Sequence, residues 1–161
     1  MKITYYVIWI LGLSLAQTTV LDYARIMGVK PNLFLVFIVC VALISAKPWE
    51  SSVVGFVLGF LLDFMTGKSM GLNMLLFMYV GVVAGLLFER LLTNKYFGII
   101  SIVFIASVIY SFLYYSMSFM MWGEGNFWYE FVRIMLPEAV YSTVICVPLY
   151  RLARRTYRYA K

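Results

Sequence analysis

Charged residues cut the chain into long uncharged stretches, and the lengths of those stretches are the first structural signal. Residues 3–21 carry no charge over 19 positions, 31–46 over 16 and 51–62 over 12. Residues 69–88 then run uncharged for 20 positions, 96–123 for 28 and 139–150 for 12. A helix rising about 1.5 Å per residue needs about 20 residues to cross a hydrocarbon core of roughly 30 Å. The first and fourth stretches meet that length unaided, and the fifth is long enough to tilt. The third covers only about 18 Å, so it must draw in residues 48–50 and 63–65. The last must draw in 134–138, which brings Glu138 into or near the membrane.

The pattern predicts an all-α integral membrane protein. It is read as a single six-helix transmembrane domain over residues 1–161, with helices at 4–21, 31–46, 49–64, 71–88, 96–121 and 134–152. Both termini are placed in the cytoplasm, and 151–161 forms a basic cytoplasmic tail. Lys30-Pro31-Asn32 opens the second helix with a proline whose missing N–H costs little in a first turn. Asn94 and Gly98 flank a start at Tyr96, and the run Trp122-Gly123-Glu124-Gly125-Asn126 ends the fifth helix. The aromatic-rich segment 127–133 suits the headgroup level. Lys2 ahead of an apolar run loosely resembles a secretory leader. At 19 uncharged residues that run exceeds a normal leader core, and five spans follow, so it is read as an anchor helix.

Composition sharpens this reading. Hydrophobic residues make up 64% and charged residues 12%, about half the charged share of a soluble domain. The chain has no histidine, which removes Ser-His-Asp triads, His-ligated zinc and imidazole acid–base chemistry. Cys40 and Cys146 lie inside apolar runs without C-x-x-C spacing and read as small hydrophobes. No phosphate-cradling glycine loop is present. We therefore expect no catalytic residues, no cofactor, no metal and no nucleic-acid partner.

The most informative stretch runs from Gly55 to Asn73. Gly55 and Gly59 lie one helical turn apart, and Gly81 and Gly85 repeat the spacing in the fourth helix. Small faces of this kind let helices approach closely in lipid. They serve either packing within the bundle or an interface for another protein's helix. Asp63 ends the short third helix beside a turn containing Gly67 and Gly71. It reads as a cap on that turn or on the fourth helix, with a polar ligand or partner site and proton transfer as alternatives. Glu138, after Pro137, reads as a first-turn carboxylate favoured by the helix dipole.

These residues resemble the rod shape-determining protein MreD family. The resemblance rests on a G-x-x-x-G-x-L-x-D helix (Gly55, Gly59, Asp63), a glycine-containing turn and Gly71-Leu72-Asn73. Pro31-Asn32-Leu33 and Pro137 followed by Tyr141 add to it, while Glu138 departs from the small or uncharged residue expected there. The resemblance covers nearly the whole chain. It implies a non-enzymatic membrane scaffold subunit of the cell-elongation machinery that binds MreC. The wider complex would include the MreB filament, a RodA-type glycosyltransferase and a penicillin-binding transpeptidase, positioned or regulated in peptidoglycan synthesis. The family's fold is similar to the substrate-binding subunits of energy-coupling-factor vitamin transporters, which supplies the alternative function. A phospholipid-headgroup transferase is disfavoured, because its clustered aspartates are absent.

The basic tail sets orientation. Arg151, Arg154, Arg155 and Arg158 fall at i, i+3, i+4 and i+7, one face of a continued helix. That face suits membrane lipids of anionic type or a cytoplasmic protein. With both termini inside, nine cations lie on the inner side and four on the outer: Arg25, Lys30, Lys68 and Arg133. A cysteine probe near Lys161 is expected to be labelled only from the cytoplasm, and one near Gly125 only from outside. The reverse pattern would reject the six-span topology.

Overall fold

The computed structural model describes residues 2–20, 31–45, 47–67, 71–88, 95–122 and 131–160. These form six α-helices: α1 (Lys2–Leu15), α2 (Leu33–Ser45), α3 (Pro48–Thr66), α4 (Leu72–Phe88), α5 (Lys95–Trp122) and α6 (Leu136–Ala160). A π-helical turn, Ala16–Val20, extends α1, and another, Phe131–Met135, leads into α6. No strand occurs among the described residues. Two segments, Pro48–Thr66 and Gly98–Met117, are long and apolar enough to cross a membrane. Leu21, Ala46, Asn94, Lys161, the glycine-rich break 123–126 and the aromatic positions 127–130 lie outside the described residues.

Helix α2 occupies the centre. Every residue from Leu33 to Leu43 is buried, and Phe34 to Cys40 have no exposed surface at all. A helix apolar all round is one that meets packing on every side. Helices α3, α4, α5 and α6 pack directly on it. Helix α1 reaches it through aromatic side chains, with Trp9 stacked on Phe37 at 5.2 Å between ring centroids. The outer helices also touch in a closed order, α1 to α3, α3 to α4, α4 to α5, α5 to α6 and α6 back to α1. The arrangement is five helices around one.

The closest pair is α3 and α4. They run antiparallel, and glycines from alternate helices bring backbone onto backbone. A Cβ on Gly59 would lie 2.5 Å from the Met74 Cα, and one on Gly81 would lie 2.6 Å from the Ser51 carbonyl oxygen. One on Gly85 would lie 2.8 Å from the Pro48 Cα, and one on Gly55 would strike the Phe77 carbonyl. The four glycines are therefore filled from within the chain, which leaves their small faces no room for a partner's helix. Ser51 Oγ, fully buried, donates to the Gly81 carbonyl at 2.8 Å across the same seam.

The bundle's surface is apolar. Val53, Phe56, Phe60 and Phe64 on α3, Leu75, Tyr79, Val83 and Leu86 on α4, and Ile105, Ile109 and Phe112 on α5 all stand exposed. Several polar side chains lie inside, among them Asn32, Glu50, Ser51, Asp63, Asn73 and Ser142.

At one end of the bundle the start of α1 ties to α3 and α6. Tyr6 donates to Glu50 at 2.9 Å, Tyr5 to the Ala153 carbonyl at 3.1 Å, and Trp9 to Thr156 at 3.1 Å. Helix α6 runs through to Ala160 instead of ending at Leu152. These contacts to Ala153 and Thr156 hold the continuation against α1. Arg151, Arg154, Arg155 and Arg158 are exposed on that continuation, with Arg154 over the Tyr150 ring at 6.0 Å.

Replacing Gly59 by Leu should drive α3 and α4 apart. Overpacking a tight site costs about 1–3 kcal/mol or more, so the unfolding temperature of the detergent-solubilised protein should fall clearly. Gly12 has nothing within 4 Å of an added Cβ, and Gly12→Leu should leave stability nearly unchanged. Equal effects at the two sites would refute the seam.

Candidate functional site

The end opposite the Tyr5 and Glu50 contacts gathers several buried polar side chains, among them Asn32, Asp63, Asn73 and Ser142. The end of α1, the start of α2, the end of α3, the start of α4 and the start of α6 meet there, and α5 passes alongside.

Asp63 anchors this end. It is 2% exposed and sits in the last turn of α3. Its carboxylate accepts from the Gly71 N–H at 2.9 Å, the Met74 N–H at 3.1 Å and the Asn73 N–H at 3.3 Å. The first amides of a helix have no partner within it, so Asp63 caps α4 from across the turn, with the helix dipole favouring its charge. The turn itself needs glycine. Gly67 (φ 62°) returns its N–H to the Asp63 carbonyl at 2.9 Å, and Gly71 has φ 96°. Both angles disfavour side chains with a Cβ. The Asn73 amide also donates to Asp63 at 2.7 Å, and its oxygen accepts from Tyr110 OH at 2.7 Å. An unbroken path thus runs from α3 through α4 to α5.

Asn32 performs the matching task for α2. The helix begins at Leu33 because the Asn32 side chain accepts from the Leu35 N–H at 3.1 Å, which puts Pro31 outside the first turn. The Asn32 N–H donates to Ser142 Oγ at 3.1 Å, which joins α2 to α6. Gln17 accepts from the Leu33 N–H at 3.1 Å and donates to the Pro31 carbonyl at 3.4 Å. Three side chains on three segments therefore fix the first turn of the central helix.

Between these anchors lies a cavity of about 380 Å³, lined by Gln17, Asn32, Leu62, Thr66, Tyr110, Ser111, Tyr114, Tyr115, Ile134 and Glu138. Tyr110 and Tyr114 stack at 6.0 Å between ring centroids, and Tyr114 meets Tyr115 edge to face at 5.6 Å. Ser111 donates to Glu138 at 3.4 Å. Pro137 lies in the first turn of α6, and Tyr141 is half-buried one turn further on.

A model of the rod shape-determining protein MreD matches residues 1–160. The chain belongs to the MreD family. No curated protein and no solved structure matches it. MreD proteins are membrane proteins that determine rod shape and are not known as enzymes. In this MreD chain, Gly55, Gly59, Gly81 and Gly85 lie in the α3–α4 seam, Asp63, Gly67, Gly71 and Asn73 form the turn, and Asn32 caps α2. Pro137 and Tyr141 stand apart from the turn, and the four arginines lie on the continuation of α6. Tyr110 and Ser111 carried no signal in the sequence, since tyrosine and serine inside an apolar run read as ordinary span residues. Among the described residues, no group of three or more Cys, Asp or Glu forms a metal site.

Asp63→Ala would leave the Gly71, Asn73 and Met74 amides without their acceptor. An orphaned buried donor costs about 1–3 kcal/mol and a lost cap about 0.5–2 kcal/mol. We expect a loss of about 3 kcal/mol by this reckoning, seen in detergent unfolding. Asp63→Asn, which keeps one acceptor oxygen, should cost less, and Tyr110→Phe about 1 kcal/mol. Wild-type stability in Asp63→Ala would remove the cap from the account.

Proposed function

We propose that this protein is a non-enzymatic scaffold subunit of the bacterial cell-elongation complex. It sits as a multi-pass bundle in the cytoplasmic membrane, binds MreC and helps position or regulate peptidoglycan synthesis. The full-length family match carries this reading. The distribution of polarity supports the membrane part. Phenylalanine, leucine and valine side chains face outward while Asp63, Asn73 and Glu50 lie inside, the order that a hydrocarbon solvent favours and water opposes. The four glycines are taken up within the chain, so association with MreC uses other surfaces.

Mechanically, a scaffold must hold its own shape while partners pull on it. The hydrogen-bonded path Asp63–Asn73–Tyr110 and the backbone-close α3–α4 seam supply that stiffness. The exposed arginines of α6 give the cytoplasmic side a basic face, which suits anionic lipid at about 1 kcal/mol per cation. The MreB filament and the wall synthases complete the complex on this reading.

Depletion should make rod-shaped cells round, and pull-down of the full chain from native membranes should recover MreC. Vitamin uptake should not depend on the protein. Uptake that requires an energy-coupling ATPase, with no MreC recovered, would overturn the scaffold in favour of a transport subunit.

A further inference from the structure

The cavity at the Asp63 end has two carboxyl residues nearby, in different settings. Asp63 and Glu138 both lie at this end, yet their carboxylates are treated differently. Asp63 accepts four hydrogen bonds from the turn and α4 and does not line the cavity. Glu138 lines it and is held by Ser111 at 3.4 Å. A carboxylate offers about four acceptor positions, so this one neutral donor leaves acceptor capacity facing the cavity. The other polar groups around it are largely committed. Both ends of the Gln17 amide bond the start of α2, the Asn32 oxygen caps Leu35, and Tyr110 OH donates to Asn73. The carboxylate with capacity for a ligand stands beside the stacked rings of Tyr110 and Tyr114.

We propose that this cavity binds an alkylammonium group, carried by a free amine or by an aminophospholipid headgroup. A half-buried carboxylate among apolar and aromatic side chains is costly without a positive neighbour, and nearby aromatic rings favour a cation. A compact ammonium fits better than a guanidinium. Ser111 already occupies Glu138 Oε2, which spoils the two-oxygen fork that a guanidinium matches. The volume of about 380 Å³ lies within the range of small-molecule sites. The inference goes beyond the scaffold reading and stands whether or not MreC binds.

The test uses the full chain purified in detergent, titrated with ethanolamine, with the neutral isostere ethylene glycol and with a short-chain phosphatidylethanolamine. Intrinsic fluorescence and the unfolding temperature report binding. Ethanolamine should give a saturable response that ethylene glycol does not. Glu138→Gln should weaken it at least tenfold, with Glu138→Asp between the two. An equal response to ethylene glycol, or undiminished binding in Glu138→Gln, overturns the site. If Glu138→Gln fails to fold, the comparison of the two isosteres on the wild-type chain still decides. Native mass spectrometry from nanodiscs of mixed phosphatidylethanolamine and phosphatidylglycerol separates the sources. Selective retention of phosphatidylethanolamine assigns a lipid, and ethanolamine binding without such retention assigns a free amine. Failure of both ethanolamine and the short-chain lipid to bind overturns the proposal.

Discussion

Everything in this bundle is arranged around one helix that has no outward face. With Phe34 to Cys40 entirely covered, α2 can be stable only if neighbours pack against it on every side. That requirement fixes the ring of five helices and demands a polar solution at the start of α2, where unpaired amides would otherwise be buried. Asn32, Gln17 and Ser142 supply it. Side chains satisfy the start of the central helix.

The same economy governs α3 and α4. Van der Waals contact and hydrogen bonds must hold helices together where the surroundings are as apolar as the core. Alternating glycines shorten the distance between backbones, and the Asp63 cap locks the register at the turn. The two devices meet at one junction, with Gly59 against the Met74 Cα and Asp63 accepting from the Met74 N–H.

The existence of the helices was legible because charges are scarce and mark the ends of the stretches. Which face points where was not. In α2 and α4 nearly every position is apolar, so the usual periodicity of a core-facing stripe vanishes. The spacing of Gly55 and Gly59 revealed that something comes close, but not that it was α4. Asp63 was readable as a cap because it stands before a glycine turn. Its link to Tyr110 was hidden, because Asn73 and Tyr110 are 37 residues apart and hydroxyls in apolar runs have many uses. The last apolar span is expected to end at Leu152, and the helix itself runs on to Ala160 through the arginines. Charges end a stretch that suits lipid, but they do not end a helix.

The central position of α2 also has a consequence in time. It is the second helix to be synthesised, while the ring closes only when α6 docks on α1 through Tyr5 with Ala153 and Trp9 with Thr156, pairs 148 and 147 residues apart. At about 5–20 residues per second of synthesis, the finished α2 waits on the order of ten seconds for its last wall. During that interval one flank of the most apolar helix in the molecule faces whatever the translocation machinery or the bilayer offers. A chain truncated before α6 would keep that flank open permanently. Its degradation would follow from an unclosed ring, with no single contact in the remaining helices at fault.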